Sequence, residues 1–512
     1  MNLLRSAGLL LHPTSLPGPF GIGDLGPAAR RWVDFVADAG CRWWQVLPLG
    51  PTGYRDSPYQ SFSSFAGNPL LISPEALVED GLLTAGELAD APAFGDGPVD
   101  FGGVYDWKNP LLDRAADRLL AASTPGPTSA VAADFVAFRA REAAWLDTYA
   151  LFIALKRAHG GGSWIDWPVA LRDAQPAAIA AARAEQRIAI GREAFRQWAF
   201  ARQWSAVRAH ARARGVSLIG DAPIFVAHDS ADVWAHRRLF QLDAEGRPTV
   251  VAGVPPDYFA KTGQLWGNPL YRWEAHEAEA YAWWIARMKA VLRMVDLLRL
   301  DHFRGFAACW EVPADAATAE SGRWVPGPGA TFLTALERGL GGLPLIAEDL
   351  GEITPDVFAL RDRFRLPGMR VLQFAFTNPQ NPFLPHHHVP NCVVYTGTHD
   401  NETVAGWYAH APAAGRAFLA TYRGPSSGSV AWDFIRMCWA SVGGLAVTTP
   451  QDLLEQGDEG RINFPGKAAG NWTWRLPAEF FAQAGAATGL AARLRALGVA
   501  YGRVAPVPAA TG

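Results

Sequence analysis

The chain has 512 residues, more than one simple core usually holds, and 49% of them are apolar, which allows a large domain with insertions or two domains. Its formal net charge is −3, without a long basic or acidic run, which argues against nucleic acid and acidic membranes as partners. The four cysteines lie far apart without a CxxC motif, which predicts reduced, packed thiols in a cytoplasmic protein, and no apolar window approaches the length of a membrane span.

Short apolar runs recur along the chain and predict the strands of a parallel sheet that is covered on both faces. The first is interpreted as a strand and not as a signal peptide, because it meets Pro13 without a small-residue cleavage site. The eight runs are Leu9–Leu11, Trp43–Leu47, Ser217–Phe225, Val295–Leu300, Leu343–Ala347, Arg370–Phe376, Cys392–Thr396 and Gly444–Thr448.

Helices are predicted between several of these runs. Examples are Pro27–Ala39 and Thr354–Phe364, the second with Thr354 as its cap and Pro355 at the first helical position. The alternation predicts an α/β fold, a (β/α)₈ TIM barrel with inserted subdomains, in which residues 1–512 form a single catalytic domain. The connection between the sixth and seventh runs leaves little room for a helix, which weakens the pattern at that point.

Two connections are too long for simple barrel loops and predict insertions. The largest, at approximately 75–200 between strands two and three, is Ala- and Arg-rich and is expected to be helical. The other spans approximately 226–290 and carries a Gly-, Pro- and aromatic-rich segment at 251–269, which is typical of a lid or binding loop near an active site.

Acidic residues follow several of the predicted strands. Asp301 ends the fourth run, Glu348 and Asp349 end the fifth, Asp400 follows the seventh and Asp221 lies in the third. A single such residue is more often a helix cap or a loop ligand, but carboxylates clustered on one rim repel each other and lose hydration. Because active-site groups of a barrel come from the carboxyl ends of its strands, the set predicts a catalytic site there.

Three chemistries use convergent carboxylates: divalent-metal binding, proton abstraction on such a metal, and glycoside cleavage. Aromatic rings near the predicted rim favour the third, because they stack on the apolar faces of sugars. Core packing is the alternative for each ring and is preferred for Phe374. The rings are Tyr54, Tyr59, Tyr258, Phe259, Trp266 and Phe374.

Longer motifs then identify a family. The chain contains LLRLDHFRG, IAEDLG, YTGTHDN, GPTGYRDSPYQS, AGVPPDYFAKTGQLWGNPLY and NFPGKAAGNW, which together span nearly its whole length. In these segments it resembles the amylomaltases, bacterial 4-α-glucanotransferases of glycoside hydrolase family 77. The resemblance implies retaining transfer of α-1,4-glucan segments in a modified barrel, without a metal or organic cofactor.

The same resemblance implies the partners. Donors would be α-1,4-glucans and maltooligosaccharides, as in starch, glycogen or maltose metabolism, and acceptors would be glucose or maltooligosaccharides. We expect a cytoplasmic monomer or small homo-oligomer.

Carried over residue by residue, Asp301 would be the nucleophile, Glu348 the general acid and then base, and Asp400 the residue that holds the 2- and 3-hydroxyls of a distorted ring. Arg299 lies two positions before Asp301, so both side chains should point the same way from a strand and the guanidinium should keep Asp301 ionised. Glu348 needs a raised pKa, which burial beside an anion would give. Double displacement requires the Asp301 and Glu348 carboxyl groups to lie about 5 Å apart.

Other positions complete the predicted substrate-binding set. His399 is either a hydroxyl donor or a structural histidine bonded to backbone. Arg55 stands beside Tyr54 where a glycine is expected, which could alter the groove. Trp266, Asn268 and Asn471 resemble family sugar contacts, Tyr54, Ser57 and Tyr59 resemble the donor-side groove, and Arg299, Asp221, Tyr258 and Phe374 are the remaining members.

Rival interpretations remain open at this stage. A hydrolase of the α-amylase type is the nearest, although GDAPIFV lacks the following Asn-His and no calcium loop is evident. A non-catalytic glucan-binding protein and a metal-dependent barrel enzyme are the others. GIGDLG at 21–26 lacks the strand-turn context of a dinucleotide site, and the adjacent histidines 386–388 indicate a polar surface loop more than a zinc site.

Overall fold

The computed structural model describes residues 3–121, 128–256, 261–467, 469–482 and 486–504, and for residues 54, 128, 129 and 486 it describes the backbone alone. Its strands, in chain order, are β1 (Ser6–Leu10), β2 (Trp43–Gln45), β3 (Ser217–Ala222), β4 (Val250–Val254), β5 (Gln264–Pro269), β6 (Leu297–Leu300), β7 (Ala308–Pro313), β8 (Arg323–Pro326), β9 (Leu345–Ala347), β10 (Gly368–Val371), β11 (Cys392–Tyr395) and β12 (Leu445–Thr448).

Eight of these strands form one parallel sheet in the order β10-β11-β12-β1-β2-β3-β6-β9. Its two outer strands are drawn together, because the Ala347 amide donates to the Pro367 carbonyl at 2.9 Å. The Met369 amide also donates to Asp349 Oδ1 at 2.7 Å. The sheet is therefore a nearly closed barrel, and the predicted (β/α)₈ fold is confirmed.

Each predicted run overlaps one barrel strand, but the bounds differ. β1 begins at Ser6 instead of Leu9, because the small residues before Leu9 pair with β12 and are buried. The sixth run was predicted to continue to Phe376, whereas the strand ends at Val371 and Leu372–Phe374 form a 3₁₀ turn. Apolar content marked the buried segment but not the residue at which extended backbone ends.

The helices of the described residues surround the barrel. α1 confirms the helix predicted after the first strand. The cap predicted at Thr354 is only half correct, because Thr354 occupies the cap position before Pro355 but its side chain makes no capping hydrogen bond. The helices are α1 (Pro27–Asp38), α2 (Pro74–Glu79), α3 (Ala85–Ala89), α4 (Phe101–Ala121), α5 (Thr128–Ala158), α6 (Val169–Arg172), α7 (Pro176–Glu185), α8 (Arg187–Ala213), α9 (Ala231–Ala235), α10 (Trp273–Ala278), α11 (Ala282–Met294), α12 (Gly329–Leu340), α13 (Pro355–Arg363), α14 (Val404–His410), α15 (Ala413–Arg423), α16 (Val430–Ala440), α17 (Pro450–Leu453) and α18 (Ala486–Ala500).

Helices α2 to α8 lie between β2 and β3, the connection for which a helical insertion was predicted. The two longest, α5 and α8, pack against each other, and α8 also packs against β3. The stretch thereby rests on the barrel near the strand that carries Asp221.

A second, antiparallel sheet has the order β5-β4-β7-β8, and its strand β5 contacts the segments that follow β3 and β6 of the barrel. Sequence analysis predicted a binding loop at 251–269 and did not predict β7 or β8. Here β4 pairs with β5 on one side and with β7 on the other. The β4–β7 pairing joins segments separated by the whole of β6, and such a long-range partner leaves no local mark in the sequence.

The remaining predictions about cysteine, histidine and membrane segments can be compared directly. All four cysteines are buried and free, as predicted. His386, His387 and His388 hydrogen-bond to three different partners, the Tyr422 hydroxyl and the carbonyls of Asn381 and Phe383, which fits a polar loop. No helix among the described residues is long and apolar enough to cross a membrane.

Candidate active site

The two central carboxyl groups come from neighbouring barrel strands. Asp301 directly follows β6 and Glu348 directly follows β9, and these strands pair in parallel. The Glu348 amide donates to the Leu300 carbonyl at 3.1 Å, and the Phe303 amide donates to the Glu348 carbonyl at 3.1 Å. These bonds fix the strand ends side by side, so both carboxyl groups are presented at one rim.

Arg299 connects two of the acidic residues. It is 3% exposed, and its Nη1 donates to both carboxylate oxygens of Asp221 at 2.9 and 2.8 Å. Its Nη2 lies 2.9 Å from Asp301 Oδ1. The predicted common direction of Arg299 and Asp301 is confirmed, and the guanidinium is held in place by the buried Asp221.

A second chain of contacts leads from Asp221 to Asp400. The Tyr59 hydroxyl donates to Asp221 Oδ2 at 2.9 Å and lies 2.8 Å from His399 Nε2. Because a tyrosine hydroxyl carries one proton, His399 Nε2 must be the donor in its contact with Tyr59. His399 Nε2 also lies 3.2 Å from Asp400 Oδ2. The described hydrogen bonds of this histidine therefore go to side chains of the site and not to backbone, and its role as a hydroxyl donor stays a prediction.

Glu348 has the surroundings of a proton donor. Its side chain accepts the His302 amide at 2.7 Å and the Leu350 amide at 2.8 Å. Burial, helped by the nearby Asp301, raises the pKa of Glu348 to about 7, although Arg299 and the two amides act in the opposite direction. A carboxyl group with this pKa carries a proton part of the time near neutral pH, as predicted.

Asp301 is more open than Glu348, with 26% of its side chain exposed. Burial nevertheless raises its pKa to about 6, Arg299 acts to lower it, and the negative charges of Asp221 and Asp400 act to raise it. Arg299 was predicted to keep Asp301 ionised. Its guanidinium does act in that direction, but burial and the charges of Asp221 and Asp400 outweigh it, so the pKa of Asp301 is raised and not lowered.

Asp400 is held as an anion. Burial acts to raise its pKa, but His399 and the Asn463 side chain outweigh burial and lower it. Asn463 Nδ2 donates to Asp400 Oδ1 at 2.7 Å. Sequence analysis did not single out Asn463; the available signal was its position as a polar residue between two apolar ones in RINFPG.

Asn471, which is predicted as a sugar contact, makes two hydrogen bonds within its own loop. Its Oδ1 accepts the Phe464 amide at 2.9 Å and its Nδ2 donates to the Lys467 carbonyl at 3.1 Å. The described structure therefore connects Asn471 to the segment that carries Asn463 and not to the carboxylate cluster.

The predicted contacts on the second sheet differ in exposure. Trp266 is half-buried, and its ring meets that of His302 edge-on with centroids 4.8 Å apart, which places it beside the residue after Asp301. Asn268 is 6% exposed and donates to the Val226 carbonyl at 2.9 Å. Its amide nitrogen thus tethers β5 to the segment after β3 and does not face an open groove.

The other predicted groove residues are placed as follows. Ser57 Oγ accepts the Tyr59 amide at 3.3 Å, so it shapes the turn that presents Tyr59. Phe374 packs edge-on against Phe383 with centroids 5.6 Å apart, in agreement with the core interpretation. The Tyr54 side chain and the whole of Tyr258 lie outside the described residues.

The described side chains that come close enough to share a metal ion are not those of Asp301 and Glu348. Within the described ranges, the group of His, Cys, Asp and Glu side chains that brings three ligand atoms within 4.8 Å is Glu402, His410 and Asp458. It includes neither Asp301 nor Glu348. The His410 ring lies between the two carboxylates, 3.0 Å from Glu402 and 3.2 Å from Asp458, and contacts both of them. The arrangement at Asp301 and Glu348 suits acid–base and nucleophilic chemistry at one carbon.

Comparison with known proteins agrees with this geometry. Residues 11–480 match the profile of the glycoside hydrolase family 77, described as 4-alpha-glucanotransferase. A 4-alpha-glucanotransferase of Thermus thermophilus is 51% identical, over 98% of this chain and 100% of the relative. One from Synechocystis sp. is 46% identical, over 92% of this chain and 94% of the relative.

A solved structure has the same fold over the same length. Amylomaltase from Streptococcus agalactiae, in complex with acarbose, superposes with a TM-score of 0.93 at 34% identity and covers 98% of this chain and 100% of its own. The chain belongs to glycoside hydrolase family 77 and is a 4-α-glucanotransferase of the amylomaltase type.

Proposed function

We propose that this enzyme transfers α-1,4-glucan segments by a retaining double displacement, with Asp301 as nucleophile and Glu348 as acid and base. The observation that carries the proposal is the pairing of two carboxyl groups from adjacent strand ends, one bound to Arg299 and the other buried and held by two backbone amides, with its pKa raised to about 7. The family alone does not assign these roles to residues of this chain.

In the first step, an Asp301 oxygen attacks the anomeric carbon of the donor and the bond to the leaving oxygen breaks. Glu348 gives its proton to that oxygen, and the reducing-end fragment departs. In the second step, the 4-hydroxyl of an acceptor glucan attacks the same carbon, its proton passes to Glu348, and Asp301 is released as a carboxylate. Two inversions give net retention.

Asp400 supplies a permanent negative charge in this scheme. Because its pKa is lowered, it stays ionised while the sugar ring develops oxocarbenium character. We assign it the 2- and 3-hydroxyls of the reacting glucose, and we keep His399 as a further contact of these hydroxyls through the Nε2 that also meets Tyr59 and Asp400.

Transfer requires a glucan hydroxyl to reach the intermediate before water does. Trp266 lies on the second sheet beside His302, the residue that follows Asp301, and offers a ring on which an acceptor glucose can stack. Tyr54, Ser57, Tyr59, Tyr258, Asn268, Phe374 and Asn471 stay as proposed sugar contacts or supports of such contacts.

The substrates follow from this chemistry. We propose α-1,4-glucans and maltooligosaccharides as donors, and glucose or maltooligosaccharides as acceptors. Acarbose, with which the Streptococcus agalactiae amylomaltase was solved, should compete with the donor. The buried free cysteines support a reducing, cytoplasmic location, although a potato relative is named as chloroplastic/amyloplastic. We propose a monomer or a small homo-oligomer that needs no cofactor.

One assay tests this function against its alternatives. Incubation with maltotriose should give glucose together with maltotetraose and longer chains. Glucose and maltose with rising reducing ends would indicate an α-amylase type hydrolase. Unchanged maltotriose, with the protein retained on an amylose column, would indicate a binding protein.

A further inference from the structure

A single guanidinium lies behind the Asp400–Asn463 pair. Arg461 Nη2 donates to the Asp400 carbonyl at 3.2 Å, and its Nε donates to the Asn463 carbonyl at 2.9 Å. The side chains of those two residues bond to each other at 2.7 Å. Arg461 therefore holds the main chains of both residues whose side chains meet in the site.

The guanidinium is itself fixed on its other sides. It lies over the Phe464 ring at 4.5 Å, and Nη1 is 3.5 Å from Glu402 Oε1. Its side chain is only 18% exposed. Glu402 is oriented in turn by His410, which is 3.0 Å away. Arg461 is thus held from three directions.

The two residues belong to different segments. Asp400 lies in the loop between β11 and α14, whereas Asn463 lies in the loop after α17. A further bond between these loops, from Thr403 Oγ1 to the Gly457 carbonyl at 3.0 Å, lies at the far end of the loop that carries Asn463. Next to Asp400 itself, the described hydrogen bonds between these loops come from Arg461 and Asn463, and the His399 ring also packs against Trp472 of the second loop with centroids 6.0 Å apart.

We propose that Arg461 is a positioning residue for Asp400, which sets where the Asp400 carboxylate meets the reacting sugar without touching the sugar itself. The inference rests on the proposed role of Asp400. A planar guanidinium with several donors can address two carbonyls and a carboxylate at once, which a lysine ammonium on a flexible stem does less well. An error of about 1 Å in the position of a reacting group can cost about 100-fold in rate.

The test compares Arg461→Met and Arg461→Lys with Arg416→Met as the matched control. Arg416 is also half-buried and donates to two carbonyls, those of Ala409 and Ala411, at 3.3 and 2.9 Å. Its described bonds reach neither Asp400 nor Asn463. We expect Arg461→Met to lower kcat/KM about 10- to 100-fold, Arg461→Lys to lower it less, and Arg416→Met to stay within about threefold of wild type.

The same variants are assayed with α-maltosyl fluoride as the glycosyl donor, because fluoride leaves the sugar without needing a proton. A defect of Arg461 should persist with this donor because Asp400 acts on the sugar and not on the leaving group. If the fluoride restored Arg461→Met to wild-type rates, the residue would be acting through Glu348 and the proposal would be overturned.

A double-mutant cycle decides whether Arg461 acts through Asp400. In an Asp400→Asn background, Arg461→Met should cost less than about threefold with the fluoride donor, because its target is already lost. An undiminished cost in that background would indicate a general structural role and overturn the inference. Should Arg461→Met fail to fold, the same cycle is run with Arg461→Lys. Failure of the proposed function is distinguishable, since Asp301→Asn and Glu348→Gln would then retain wild-type turnover of maltotriose.

Discussion

Arg299 distinguishes the carboxyl groups of the site, because its guanidinium binds Asp221 and Asp301 but not Glu348. It binds Asp221 through one nitrogen and Asp301 through the other. Glu348 is bonded to backbone amides instead, and burial raises its pKa to about 7. One carboxyl group bound to a guanidinium and one held by amides therefore lie on adjacent strand ends, as the proposed base and acid require.

The dependence of kcat/KM on pH should be bell-shaped. Asp301 must be ionised, so activity falls as the pH drops through about 6. Glu348 must be protonated, so activity falls as the pH rises through about 7. The maximum should lie between these values when maltotriose disproportionation is measured across pH 4 to about 10. A plateau that extends to pH 9 would contradict the assignment of Glu348 as the acid.

Glu348→Gln should separate the acid role from binding. Turnover of maltotriose should fall about 100- to 10,000-fold, because the leaving sugar oxygen receives no proton. With α-maltosyl fluoride the formation of the intermediate should return to within about tenfold of wild type, since fluoride needs no proton. Equal losses with both donors would show that Glu348 has another role. Glu352, a nearby acidic residue on the same loop, serves as the control when changed to Gln.

At the residue level, the sequence predicted those site residues that lie at strand ends or are related by the two-residue period of a strand. Asp301, Glu348 and Arg299 follow from apolar runs that end in charged residues. Asn463 was missed because its function depends on a partner in another loop. Asn268 was predicted to contact sugar, but its burial and its bond to Val226 could not be read from its neighbours in sequence.

The antiparallel sheet β5-β4-β7-β8 is an addition to the simple (β/α)₈ barrel and lies beside its active-site rim. It carries Trp266 on β5, and β5 is fixed to the barrel by the bond from Asn268 to Val226. Sequence analysis predicted a loop here because Gly and Pro interrupt the apolar pattern. The long-range pairing of β4 with β7 makes the segment a sheet and thereby a rigid base for the tryptophan.

Trp266→Ala should shift the reaction from transfer towards hydrolysis. Without the ring, an acceptor glucose binds less well and water reaches the intermediate more often, so the share of hydrolysis should rise by about threefold or more. The ratio is measured from reducing ends released per maltotetraose formed. Trp324→Ala is the matched control, because Trp324 lies on β8 of the same sheet, 36% exposed, and stacks against Arg304 instead. An unchanged ratio for Trp266→Ala, or an equal shift for both variants, would remove Trp266 from the acceptor site.

For the molecule as a whole, barrel closure brings residues together from across the chain. Tyr59, Asp301, Glu348 and Asp400 lie in four different connections that follow barrel strands, Asp221 lies near the end of β3, and all five meet at one rim. Eight apolar runs and their spacing were enough to predict the barrel. They could not predict the antiparallel sheet, because its strands are recognisable only once their partners are known.

The four thiols provide a test of the whole fold. Burial raises the pKa of Cys41, Cys309 and Cys438 to about 12 and that of Cys392 to about 11, so none should react in the native state. Titration with a chromogenic disulfide should label no thiol in the native enzyme and four per chain after unfolding in guanidinium. Fast labelling of the folded enzyme, or fewer than four thiols after unfolding, would contradict the buried and reduced arrangement.

The central claim is that Asp301 forms a covalent bond to the sugar, while Glu348 donates a proton to the leaving oxygen and then accepts one from the acceptor. Glu348→Gln should accumulate this intermediate with α-maltosyl fluoride, because the fluoride departs unaided and the acceptor then lacks its base. Mass spectrometry of the quenched protein and its peptides should find a maltosyl group esterified to Asp301. A group found on Asp221 or Asp400, or turnover of the fluoride without any trapped sugar at Asp301, would contradict the account.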